Sequence, residues 1–363
     1  MKPSARLATL AHRVWRGKGL ASTVLLPFSW ITRLVVAHKR QRFARPDARQ
    51  RGRSPVVVVG NIYVGGTGKT PVVIALAQGL RERGWTPGVI SRGYGVASSQ
   101  APRVGTGHLD PARFGDEPAL IALRTGVPVG VHPRRILALR ALEAAHPEID
   151  VVIADDGLQH IELGRDIELA VQDARGIGNG RLLPAGPLRE PADRLGQIDY
   201  LVVNLEPGQS DPASTGGVPT VGMRLFPSHV EHLATRRSVD WSTWLIEHGR
   251  TPANAVAGIG RPERFFGMLE ACGLALAHTV ALPDHAAFQT SPFDALGPGP
   301  ILITAKDAIK CGAFTNDDRL WVVHATPRFT DSHWLDDIAR RLRDIVENKD
   351  SRSETPGASA HYT

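Results

Sequence analysis

An α/β architecture, with a mainly parallel sheet covered by helices on both faces, is predicted by three observations on this 363-residue chain. Short β-branched runs such as Val56-Val57-Val58-Val59 alternate with amphipathic helical stretches. A glycine-rich turn joins that first run to a helix, and a later run, Val151-Val152-Ile153-Ala154, ends in paired aspartates. Continuous apolar runs of this length suit strands buried on both faces, and repeated β-α-β units wind into a doubly covered sheet.

In chain order, the first element is a basic arm. Residues 1–53 carry thirteen Lys or Arg and a single acid, Asp47, although the net charge of the whole chain is only +7. The body is therefore mildly acidic, which argues against a nucleic-acid-binding body and for an arm that meets an anionic surface. Nucleic-acid binding by the arm itself predicts interleaved aromatics, and only Trp15 and Phe43 fit. From Gly19 to Ala37 the arm is largely apolar, interrupted by Pro27 and Arg33 and flanked on both sides by positive charge. A membrane span needs about 20 apolar residues and usually an asymmetry of charge. The expectation is a helix lying in the cytoplasmic leaflet, peripheral or monotopic, with packing on the protein's own core as the alternative. No small-residue cleavage site follows, which argues against a signal peptide. Cys272 and Cys311 match neither a metal motif nor a disulfide framework, so a reducing compartment is expected.

After the strand at 56–59, Pro71 to Arg83 reads as a helix, with Val72, Ala75, Leu76 and Leu80 on one face and Pro71 in the first turn, where a missing N–H is harmless. Strands are expected at 86–91, 127–131, 151–154, 167–171 and 200–203, with helices at 118–123 and 134–145. The Pro, Gly, Ser and Asp of 207–217 read as a linker. A second α/β run follows, with strands at 255–259, 301–304 and 320–324 and helices at 263–272, 307–311 and 332–347. The expected organisation is an arm at 1–53, a nucleotide-binding domain at 54–210, a smaller lobe at 211–347 closing a cleft, and a polar tail at 348–363.

The segment Tyr63, Val64, Gly65, Gly66, Thr67, Gly68, Lys69 and Thr70 matches the second half of G-x-x-x-x-G-K-[ST], with Tyr63 where the first glycine would stand. This is a P-loop NTPase signature. Gly65 and Gly66 are expected to supply the positive φ that aims successive N–H groups at phosphate, with Lys69 reaching the β and γ phosphates of ATP and Thr70 offering a hydroxyl to Mg²⁺. Asp155 and Asp156, ending an apolar strand, read as the Mg²⁺-handling pair, although Asp-Gly is also a turn former.

With Gly115-Asp116-Glu117-Pro118, Asp155-Asp156-Gly157-Leu158-Gln159-His160, Gly178-Asn179-Gly180, Leu183 to Glu190, Ala257-Gly258-Ile259-Gly260, Pro283-Asp284-His285 and Thr304-Ala305-Lys306-Asp307 in that order, and with Ser91-Arg92-Gly93-Tyr94-Gly95, the chain resembles the tetraacyldisaccharide 4′-kinase family from the arm to about Cys311. The resemblance implies transfer of the ATP γ-phosphoryl group to the 4′-hydroxyl of an acylated glucosamine disaccharide 1-phosphate at the inner membrane. It also implies that Asp116 pairs with His285 and takes the hydroxyl proton. Read alone, Asp116 fits a helix N-cap equally well, and His285 fits a structural histidine.

Arg92, after a strand end, is a candidate phosphate contact, and Gln159 and His160 are candidates for the acceptor sugar. Glu190 is a candidate for the nucleotide or metal site, Arg134 and Arg135 read as solvated, and Lys306-Asp307 reads equally as an internal ion pair. A competing class is the membrane-associated partitioning-type P-loop ATPase, whose motif carries a Lys before the two glycines; Val64 stands there instead.

Overall fold

The structure is a computed structural model, and it describes residue 11 and residues 13–93, 101–214, 217–284, 291–311 and 316–353. His285, Tyr94, Gly95 and the end of the polar tail lie outside the described residues.

The strands are β1 (Val56–Gly60), β2 (Pro87–Ser91), β3 (Arg103–Gly105), β4 (Val129–Val131), β5 (Val151–Asp155), β6 (Ile167–Asp173), β7 (Tyr200–Asn204), β8 (Thr220–His232), β9 (Ser238–Asp240), β10 (Ala253–Ala257), β11 (Leu276–Ala281), β12 (Ile301–Thr304) and β13 (Leu320–Phe329). They form one sheet in the order β11-β10-β12-β13-β8-β7-β6-β1-β5-β2-β4-β3, with β9 added to β8. Every pairing is parallel except β3 with β4, β8 with β9 and β8 with β13. The sheet is thus mainly parallel, as the β-α-β alternation predicts.

The helices are α1 (Leu20–Val24), α2 (Leu26–Arg42), α3 (Lys69–Glu82), α4 (Pro111–Phe114), α5 (Asp116–Thr125), α6 (Arg135–Ala145), α7 (Trp241–His248), α8 (Pro262–Ala271), α9 (Ala305–Ala308) and α10 (Trp334–Ser353). The alternation along β1 sets the two layers. Val57 and Val59 face Leu76 and Leu80 of α3, Ile121 of α5 and Ile338 and Leu342 of α10, whereas Val56 and Val58 face Ile136, Leu139 and Leu142 of α6. The chain's last helix therefore returns to the first half of the sheet, where Asp336 also takes a 2.7 Å bond from Arg83. The far half has its own core, with Trp244, Phe265, Leu269 and Trp321 on one face and Phe293, Ile301, Ile303 and Leu320 on the other.

Several expectations need correction. The strand placed at 255–259 is β10 at Ala253–Ala257, the helix placed at 307–311 is the short α9, and the closing helix runs on to Ser353. Strands β3, β8, β9 and β11 and helices α4 and α7 were not anticipated. The largest omission is β8, a 13-residue strand in mid-sheet that contains Pro227. Its ladder with β13 shifts register opposite Pro227, where His324 pairs with His229 and Ala325 with Pro227, skipping Ser228. A bulge is where a residue without an N–H is tolerated inside a sheet.

The arm packs in an inverted sense. On α1 and α2 the buried residues are Ser22 and Ser29, while Leu20, Trp30 and Leu34 are 87%, 65% and 67% exposed. Ser22 Oγ donates to the Ala185 carbonyl (2.6 Å), and Ser29 Oγ donates to the Leu182 carbonyl (2.8 Å) and accepts from the Ala185 amide (3.1 Å). Asn179 adds bonds to Ser22 Oγ and to the Gly17 carbonyl. Among the described residues no helix is long and apolar enough to cross a membrane.

Candidate active site

The P-loop bridges β1 and α3, and its positive φ angles fall on Gly65 (99°) and Gly68 (96°), so Gly66 does not take the role expected of it. Gly68 has a second constraint, since a Cβ there would lie 2.1 Å from Asn204 Nδ2. The loop carbonyls are held from outside. Asn61 Nδ2 donates to the Gly65 carbonyl (3.1 Å), Arg175 Nη2 to that of Gly66 (2.8 Å) and Asn204 Nδ2 to that of Thr67 (3.0 Å). A carbonyl fixed on one side of a trans peptide leaves the next N–H on the other, which is the geometry of an anion nest. Tyr63 is buried behind the loop, under the Arg175 guanidinium at 4.2 Å, and is not on the cleft wall.

Strand ends supply the rest of this wall. Asp155 ends β5 and accepts a 2.9 Å bond from Ser91, the last residue of β2. Burial, and then the nearby Glu117 and Asp156 carboxylates, push the Asp155 carboxyl up to about 7. Asp156 turns out of the strand at φ 48° and lies 3.4 Å from Lys69 Nζ and 3.3 Å from Arg189 Nη1. Burial opposes its ionisation, but Lys69, Arg189 and Arg135 outweigh burial and hold it at about 2. One of the pair is therefore firmly ionised, while burial and two neighbouring carboxylates leave the other short of positive charge. A divalent cation answers that deficit. Asp155, Asp156 and the Thr70 hydroxyl all line the cleft and fit Mg²⁺, which typically takes one or two carboxylates and completes its shell with phosphate and water. Among the described residues no three His, Cys, Asp or Glu side chains make a metal site by themselves.

Arg92 is exposed on the cleft wall at the end of β2. His160 also lines the cleft, with its imidazole held down at about 3 by burial and then by Arg135, so it is neutral at physiological pH. Gln159 is already engaged: its amide donates to the Asn61 carbonyl (2.9 Å) and to Glu190 (2.8 Å) and accepts from Arg189 (3.2 Å). Glu190 is buried behind Gln159 rather than on the wall, with Arg194 3.6 Å from its other oxygen. A chain of polar groups thus runs inward from the half-buried Asp156 through Arg189, Gln159, Glu190 and Arg194 to Glu168 and Arg165. Arg134 is exposed, but the expectation of solvation fails for Arg135, which is 1% exposed and donates to the Asp155 carbonyl at 3.2 Å.

Asp116 is the first residue of α5. Its side chain does not cap that helix; Gly115 occupies the N-cap, and the Asp116 carboxylate lies 3.7 Å from Lys310 Nζ. Its expected partner His285 is outside the described residues, but Asp284 is placed and lies 3.2 Å from Lys306 Nζ.

The opposite wall comes from the far half of the sheet. Gly260 abuts the P-loop so closely that a Cβ on it would sit 3.4 Å from the Gly66 nitrogen. Arg261 and Arg264 reach back to the carboxylate of Asp173 (3.5 and 3.9 Å), and Arg264 also donates to the Asn204 carbonyl (3.0 Å). Leu225, Phe226, Phe265 and Met268 form an apolar stretch, and the two walls enclose about 950 Å³. Asp173 and Asn204 were missed in the sequence, yet each ends a parallel strand beside β1 or its neighbour, where ligand crevices form.

The family model described as Tetraacyldisaccharide-1-P 4′-kinase matches residues 21–343. The chain is 52% identical over 344 residues to the Tetraacyldisaccharide 4′-kinase of Bordetella parapertussis, covering 93% of this chain and 97% of that protein. It is 43% identical over 340 residues to the protein of the same name from Pseudomonas putida, covering 90% and 96% respectively. A crystal structure of LpxK from Aquifex aeolicus in complex with ATP superposes with a TM-score of 0.73 at 25% identity, covering 90% of this chain and 99% of that one.

Proposed function

The chain belongs to the tetraacyldisaccharide-1-P 4′-kinase family, and from that premise we propose how its cleft works as an ATP-dependent lipid kinase. The reaction moves the γ-phosphoryl group of ATP to the 4′-hydroxyl of tetraacyldisaccharide 1-phosphate, forming lipid IVA in lipid A biosynthesis. The observation that carries the division of roles is the convergence of Lys69, Asp155, Asp156 and Glu117 on one cleft, with Asp116 the neighbour of Glu117 at the start of α5.

In this reading residues 54–210 bind the nucleotide and residues 211–347 close over it. The P-loop amides and Lys69 hold the β and γ phosphates, with Arg92 as a further phosphate contact. Asp155, Asp156 and Thr70 hold Mg²⁺, which when bound neutralises charge on the phosphates. Gln159 and Glu190 act from behind, steering Arg189 onto Asp156, and His160 faces the acceptor as a neutral hydrogen-bonding ring. The 4′-oxygen bonds to the γ phosphorus as the bond to the β–γ bridging oxygen breaks, ADP departs, and the hydroxyl proton passes to Asp116, oriented by His285. The outward apolar face of α1 and α2, with Arg13, Arg16 and Lys18 before it and Lys39, Arg40 and Arg42 at its end, supports an arm seated on the cytoplasmic face of the inner membrane, where the acylated acceptor resides.

The test is purified full-length protein with Mg-ATP and tetraacyldisaccharide 1-phosphate. Doubly phosphorylated lipid is expected from the wild type, with kcat down by roughly 10²- to 10⁴-fold in Asp116→Asn and in His285→Ala at unchanged ATP affinity. Undiminished turnover in both variants defeats the dyad.

A further inference from the structure

Asp307 is a fully buried carboxylate for which the proposed reaction has no use. One of its oxygens is saturated by neutral donors, the Gly258 amide at 2.9 Å and the Thr304 hydroxyl at 2.7 Å. Its other oxygen faces Lys310 Nζ at 3.5 Å. Lys310 is itself largely buried, and on its far side the ammonium meets Asp116 Oδ2 at 3.7 Å. A buried carboxylate needs a compensating charge, and a lysine caught between two carboxylates has its reach and direction fixed by the deeper one. Asp307 is also bonded to the loop that carries Gly260 against the P-loop, so the same anchor sits behind both contacts across the cleft.

The neighbouring pairs act on the same helix. Lys306 Nζ lies 3.2 Å from Glu117 Oε1 and 3.2 Å from Asp284 Oδ1. At the other end of α5, Arg124 Nη1 meets His324 Nδ1 at 2.7 Å. The far half of the sheet thus grips α5 at both ends, and Lys310 makes its contact on Asp116 itself.

We propose that Lys310, braced by Asp307, is a positioning residue that holds the Asp116 carboxylate in line for the acceptor hydroxyl. This rests on the reading of Asp116 as proton acceptor, and it does not require Lys310 to be the sole partner of Asp116. Misplacing a reacting group by about 1 Å can cost roughly 10²-fold in rate. A residue that acts through the base lowers kcat and leaves nucleotide binding alone.

The experiment uses the full chain in detergent with Mg-ATP and tetraacyldisaccharide 1-phosphate, comparing Lys310→Met, Lys310→Arg, Asp116→Asn and the double variant Lys310→Met with Asp116→Asn. Lys310→Met is expected to lose roughly 10²-fold in kcat at unchanged KM for ATP. Lys310→Arg, which keeps the charge, should recover about tenfold of that loss, and Lys310→Met should cost nothing further once Asp116 is Asn. Should the Met variant fail to fold, Lys310→Gln against Lys310→Arg reads the same contrast. Wild-type kcat in Lys310→Met, or losses that simply multiply in the double variant, overturns the positioning role while Asp116 stands as base. Full activity in Asp116→Asn defeats the base reading instead, whatever Lys310→Met does.

Discussion

The arm and the body are assembled by opposite rules. In the body, apolar side chains are buried on both faces of the sheet and polar groups gather at strand ends, as with Asp155, Asp173 and Asn204. In the arm, serines are buried against the 179–185 loop and the apolar side chains point outward. Burial of apolar surface is what water enforces, so a pair of helices held by hydroxyls, with Leu20 and Leu34 outside, supports the proposed seat on a lipid surface. Polar anchors can thus substitute for an apolar core in holding a helix pair to the body.

The same truncation in the two regions should have opposite outcomes. Leu76→Ala, in the sheet's core, is expected to cost about 3 kcal/mol in a denaturant melt. Leu34→Ala should stay within about 0.5 kcal/mol of wild type. The arm variant should instead bind anionic lipid vesicles roughly tenfold more weakly, as expected for lost apolar insertion. Equal destabilisation by the two would abolish the distinction.

Buried charge sharpens the body's side of it. Glu168 is flanked by Arg165 at 2.8 Å and Arg194 at 2.5 Å; burial pushes its carboxyl up, and the two arginines outweigh burial and hold it below the usual range. Glu168→Gln leaves both guanidiniums short of their partner and should cost about 3 kcal/mol, measured by urea unfolding. For the arm, Ser29→Ala orphans the Ala185 amide and leaves the Leu182 carbonyl with the Gly186 amide alone, at about 1.5 kcal/mol for undocking the helices. Faster amide exchange in α2, with the β1 core unchanged, is the readout.

The smallest effect is a pH dependence. Burial, and then Arg124 and His229, hold His324 down at about 4, so in the folded chain it stays neutral where the unfolded chain, with a pKa near 6.5, takes up a proton. Stability contributed there is present above pH 6.5 and is lost as pH falls towards 4, by about 1 kcal/mol between pH 7.5 and 5.5. His324→Gln should flatten that slope in melts across this range.

How much of this could be read from the residues depends on how local the signal is. The P-loop and the Asp155-Asp156 strand end were legible because a few consecutive residues encode a turn between a strand and its neighbour. β8 was not legible. Pro227 and a mixed polar pattern argue against a central strand, and only a bulge against β13, about a hundred residues later, makes Pro227 acceptable. Arg135 read as solvated for a similar reason: its partner is the carbonyl of Asp155, and no pattern on its own helix announces that. Lys310 meets Asp116 across almost two hundred residues, a distance over which composition and spacing carry no information.

The serine anchors also carry a consequence for biosynthesis. Ser22 and Ser29 bond to residues 163 and 153 positions further along the chain, so the arm leaves the ribosome long before its docking loop exists. At ordinary rates of translation that interval is on the order of ten seconds. During it the two helices have an apolar face, a basic flank and no docking loop to pack on. On the proposed membrane seating, the body would then fold beside a bilayer the arm had already found.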